Sequence, residues 1–150
     1  MRIPTHSLVL VADGRKMLLY RNSGTADAPS LDVIAGEEQP NPPDRAQKSD
    51  LAGRRPAIGS PGQASVEEAD FHRQAEESFA RQIAERLNGM ALRNDLPSLV
   101  IVAPNRVLGA LRSQLHQETR TQIIAEVEKD LTGHPTDRIA QLLMEREEAG

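Results

Sequence analysis

Two nearly identical apolar runs, SLVLVA at residues 7–12 and SLVIVA at residues 98–103, constrain this chain more than any other feature. Both are continuous and rich in β-formers, and both read as strands. The first is closed by Asp13-Gly14, a strong turn signal, and followed by RKMLLYR at 15–21, so the spacing predicts a hairpin. Residues 22–29 are polar and turn-rich, and LDVIA at 31–35 supplies a third strand of an antiparallel meander. The second run ends at Pro104. Val107, Leu108 and Leu111 then predict a short helix over 105–114, and strand plus helix make half of a parallel crossover unit.

Between these halves the character changes. Five of the ten prolines (Pro40, Pro42, Pro43, Pro56, Pro61) fall within 36–65, where nothing is periodic, so a long loop is expected before the first helix. From 45 to 65 the loop carries Arg45, Lys48, Arg54 and Arg55 against Asp50, a basic segment on a chain of net charge −4. Ser65-Val66-Glu67-Glu68 matches a capping box, with Ser65 as the cap. Phe71, Ala75, Phe79, Ile83 and Leu87 then form an apolar stripe at helical spacing, and Asn88-Gly89 is a stop signal, giving a helix over about 66–87. Residues 121–128 (TQIIAEVE) fit a helix or a strand, and β-branched content favours the strand. Thr136 caps a last helix facing inward through Ile139, Leu142 and Leu143. The expectation is one α/β domain over 1–150 with a mixed sheet, order β-β-β-α-β-α-β-α and a flexible basic loop at 36–65. That is the element order of the ribonuclease H-like fold, and order bears on fold, not function.

Composition narrows the functions open to such a domain. Aromatic residues make up 2% of the chain, Tyr20, Phe71 and Phe79, too few for a sheet that stacks bases. The negative charge argues against nucleic-acid binding by the whole surface, though not by a local patch. The absence of cysteine removes disulfides, thiolate nucleophiles and zinc sites built on Cys. The apolar run near the start is too short for a signal peptide or a membrane span, so a cytoplasmic protein is expected.

A metal-dependent nuclease needs carboxylates gathered on strands and the first helix, yet neither apolar run contains one. Asp13 falls at a turn, Glu67 and Glu68 at a helix start, and Asp95 in a loop. The histidines His6, His72, His116 and His134 lack ligand spacing, so no metal and no cofactor is expected. The loop before the helix leaves two readings. Either it is a plain connection, which the residues alone favour, or Gln63 positions a water or a carbonyl through its neutral amide while Arg54 and Arg55 contact phosphates.

Five stretches in order, VLVADGRKMLLYRN, AGRRPAIG, DFHRQAEESFARQIAERLN, LVIVAPNRVLGALRSQL and IIAEVEKDLTGHP, resemble the bacterial host-attachment protein family over nearly the full length. That family resembles the middle domain of archaeal and eukaryotic peptide-chain release factors, a ribonuclease H-like domain with a Gly-Gly-Gln tip before its first long helix. The resemblance implies a cytoplasmic binding or adaptor module with an indirect role in attachment to host cells. Alternatively, it implies a ribosome-associated peptidyl-tRNA release or rescue factor. In the second case Gln63 of Pro61-Gly62-Gln63 is the catalytic residue. Arg45, Lys48, Arg54, Arg55 and Gly62 then contact ribosomal or transfer RNA, or a protein partner. Pro61 replaces the first glycine of the tip and fixes a backbone angle that is free there. Codon reading is not expected, because the stop-codon-reading and partner-binding domains are missing.

Overall fold

The continuity of the two apolar runs is explained by where they lie in a computed structural model, which describes residues 1–39 and 61–146, the stretch 61–69 by its backbone. The first run is β1 (Leu8–Ala12), and it is paired in parallel with the strand formed by the second, Leu99–Ala103. All five residues of each strand are buried. Strands covered on both faces need no polar alternation.

The remaining elements extend outward from this pair. β2 (Lys16–Asn22) runs antiparallel to β1, and β3 (Leu31–Glu38) runs antiparallel to β2. Helix α1 (Pro61–Leu92) crosses to β4 (Leu99–Ala103), and α2 (Asn105–Arg112) and α3 (Gln117–Thr121) precede β5 (Ile123–Glu128), which joins β4 in parallel. Helix α4 (Thr136–Glu145) follows. The result is a five-stranded mixed sheet of order β3-β2-β1-β4-β5. The expected α/β class with a mixed sheet is what the chain adopts.

Alternation along the central strands separates two cores. On one face Leu8, Leu10, Leu99 and Ile101 meet Phe79, Ile83 and Leu87 of α1 and Val107, Leu108 and Leu111 of α2. On the other, Val9, Val11, Val100 and Val102 meet Ile3, Tyr20, and Ile139 and Leu143 of α4. The β1–β2 turn is built by Asp13, whose Oδ1 accepts from the backbone N–H of Arg15 and Lys16, both at 2.7 Å. This is the side-chain turn that Asp-Gly favours.

Several expectations need correcting. Helix α3 was not foreseen, so the described order is β-β-β-α-β-α-α-β-α, and β5 starts at Ile123 rather than Thr121. Strand β3 runs to Glu38, so residues 36–38 are strand and not loop. The pairing of Lys16 with Glu38 carries the ladder that far, and a bulge at Ile34 absorbs one residue. Thr136 is the first helical residue of α4, with Pro135 at the cap position.

Helix α1 departs furthest from the expected 66–87. It begins at Pro61, so Ser65 lies inside the helix instead of capping it. Proline suits a first helical position, where its missing N–H has no partner to lose. The helix also continues past Asn88-Gly89, and the residue that turns left-handed is Asn94, with φ 60°. Asn88 instead serves the tertiary structure. It is 6% exposed, its Oδ1 accepts from the His116 N–H at 2.9 Å and the Thr119 hydroxyl at 2.7 Å, and its Nδ2 donates to the Gln114 carbonyl at 3.1 Å. Asn88→Ala orphans two donors at once and is expected to cost about 2–3 kcal/mol in urea unfolding. A loss below about 0.5 kcal/mol would mean that water replaces the amide.

The opposite case is Ser7, 1% exposed, whose hydroxyl has no hydrogen-bond partner among the described residues. Ser7→Ala removes a desolvated group that gains nothing from burial, so thermal unfolding is expected to show equal or higher stability, by up to about 1 kcal/mol. A clear drop would reveal a hidden partner for the hydroxyl.

Candidate functional site

Parallel strands β1, β4 and β5 all point their carboxyl ends to one edge of the sheet, the place where open α/β sheets gather their polar groups. Asp13 leaves β1 there. Its Oδ2 accepts from the Thr132 hydroxyl at 2.9 Å, and that hydroxyl is 2.8 Å from Oδ1 of Asp130, beyond β5. With a single proton, Thr132 serves one carboxylate at a time. Among the described residues no group of three or more His, Cys, Asp or Glu is placed to hold a metal ion.

Helix α1 passes this edge at Glu76, whose Oε1 lies 3.0 Å from Nη2 of Arg106, the second residue of α2. Toward the sheet the helix is buried, with Phe79, Ile83 and Leu87 at 1% exposure or less. In the other direction residues 70–74 are all exposed. Phe71, expected in the core stripe, is 43% exposed, with its ring edge-on to His72. Asp70, two residues from His72, pairs instead with Arg73 at 2.6 Å. The apolar stripe therefore packs only from Phe79 onward, because the sheet ends below Glu76.

At about 1.5 Å per residue, the helix start at Pro61 lies roughly 22 Å along the helix axis from Glu76. Pro61, Gly62 and Gln63 form the first turn of this helix, whereas the sequence had suggested a tip on a loop before it. Arg45, Lys48, Arg54 and Arg55 lie outside the described residues. Among the described residues many cations already meet carboxylates: Arg86 with Glu37, Arg93 with Asp95, Arg112 with Glu126. No described helix is long and apolar enough to cross a membrane.

Periodicity had no means of finding Glu76 or Arg106, which are polar and exposed in a plain helical reading and meet only through the crossover between α1 and α2. The family model described as bacterial archaeo-eukaryotic release factor family 12 matches residues 6–143, from the turn before β1 to the buried Leu143 of α4. No curated protein matches the chain.

Proposed function

The chain belongs to bacterial archaeo-eukaryotic release factor family 12, and from that premise we propose that it acts on the ribosome as a peptidyl-tRNA release or rescue factor. One observation carries the reading: Pro61-Gly62-Gln63 is the first turn of a long helix, about 22 Å along its axis from Glu76, and residues 70–74 on the way to it are all exposed. Chemistry inside a narrow, RNA-walled centre needs a thin element with its working group at the end, and a single projecting helix has that shape. Gln63 supplies an amide that orients the attacking water or the ester carbonyl without changing protonation. Gly62, lacking a side chain, lets the backbone come close to the substrate. Arg45, Lys48, Arg54 and Arg55 supply phosphate contacts, which makes ribosome association salt-sensitive. Any effect on attachment to host cells is then indirect, through translation.

The test is release of labelled peptide from stalled ribosome complexes on addition of the purified protein. Release above the rate of ribosomes alone supports the reading. No release, combined with co-sedimentation that is unchanged when the four cations are neutralised, overturns it.

A further inference from the structure

We infer that Glu76 is a positioning residue: seated on Gly14 and paired with Arg106, it clasps α1 to the sheet where the helix leaves it and so sets the direction of the projecting segment. The consequence for catalysis rests on the release reading above, whereas the clasp itself is a property of the free protein.

Two neighbours, Gly14 and Arg106, converge on this side chain. A Cβ at residue 14 would lie 2.6 Å from Cγ of Glu76 and 2.8 Å from its Cδ and Oε2, so the side chain can rest on the β1–β2 turn only because residue 14 is glycine. Arg106 Nη2 then straddles the carboxylate, 3.0 Å from Oε1 and 3.2 Å from Oε2. The turn beneath is itself held, since Asp13 binds the backbone of Arg15 and Lys16 through one oxygen and Thr132 through the other. Glu76 thus ties the helix to β1, to α2 and, through Asp13, to the segment after β5.

Its place along α1 gives the clasp leverage. Phe79, one turn inward, is 1% exposed, and residues 70–74, one turn outward, are all exposed. A swing of about 10° at Glu76 displaces the helix start by roughly 4 Å at the 22 Å lever estimated from helical rise. A misplacement of only about 1 Å can cost a catalytic group 10²-fold in rate. Burial elsewhere holds the helix on the sheet; the clasp decides where its free end points.

The chain has no cysteine, so spin labels attach only where cysteines are introduced. Glu67→Cys on the projecting segment and Asp137→Cys on α4 give a distance measurable by pulsed electron paramagnetic resonance. The parent should show one narrow distribution. Glu76→Ala and Arg106→Ala should each at least double its width, and Gly14→Ala should shift its mean by a few ångströms. Because the Arg106 side chain is 76% exposed, Arg106→Ala should keep its melting temperature within a few degrees, separating orientation from folding. High salt should widen the parent distribution in the same sense. Widths and means unchanged in all three variants would overturn the clasp, whatever the ribosome assay gives. Widening with no loss of peptide release would leave the clasp and the release reading standing and overturn the positioning role of Glu76 in catalysis.

Discussion

Replacing Asn22 with alanine is expected to destabilise the protein by about 3–4 kcal/mol, the largest loss for a single polar side chain in this fold. Asn22 closes β2 with a fully buried amide. Its Nδ2 donates to the carbonyl of Ile3 at 2.8 Å and of Thr25 at 3.2 Å, and its Oδ1 accepts from the N–H groups of Gly24 and Ser30, both at 2.9 Å. One side chain therefore holds the segment before β1 and both ends of the β2–β3 connection. Truncation leaves these backbone groups without partners, and a buried group left unpaired costs about 1–3 kcal/mol. The connection is tight at Gly24, where a Cβ would lie 2.4 Å from the Ala28 carbonyl oxygen. In urea the midpoint should fall by more than about 1 M with an unchanged slope. Asn22→Asp, which keeps the shape but loses the donor and adds a buried charge, should be no better tolerated. A loss below about 1 kcal/mol for the alanine variant would show that water takes over these bonds.

This prediction marks where sequence reading stops. The strands were legible because β1 and β4 carry their burial in residue type, and the hairpin because Asp13 builds its turn from its own side chain. Local signals of the same apparent strength failed elsewhere. The capping box at Ser65 and the stop at Asn88-Gly89 are both overruled inside α1, the second because the Asn88 amide finds His116, Thr119 and Gln114 in space. A polar side chain in the interior can satisfy the same hydrogen bonds as a cap, and sequence does not say which it does. Phe71 misled for a related reason: helical spacing reports a stripe, not where the sheet beneath it ends. For the site, Pro61-Gly62-Gln63 stood out as a motif, but its place inside the first turn of the helix did not. Glu76, Gly14 and Arg106 come from three separate elements, and only the crossover brings them together.

Gln63→Ala is the change expected to weigh most on activity. If Gln63 orients the attacking water, its loss should lower the rate of peptide release from stalled ribosomes by about 10²-fold or more, the scale of removing one preorganised donor from a polar transition state. Folding should be untouched, since Gln63 lies in the first turn of α1, about four turns before Phe79, where the helix enters the core. Ribosome co-sedimentation should also persist, because affinity in this reading comes from Arg45, Lys48, Arg54 and Arg55. Gln63→Glu tests the chemistry more sharply. A carboxylate only accepts hydrogen bonds and is repelled by phosphate, so release should fall as far as with alanine. Pro61→Gly restores the glycine of the release-factor tip. It frees a backbone angle at a helix start where proline is well suited, so binding should be retained while the first turn of α1 loosens. Equal release by native protein and Gln63→Ala would exclude the amide from the reaction and leave Pro61-Gly62-Gln63 as a helix start alone.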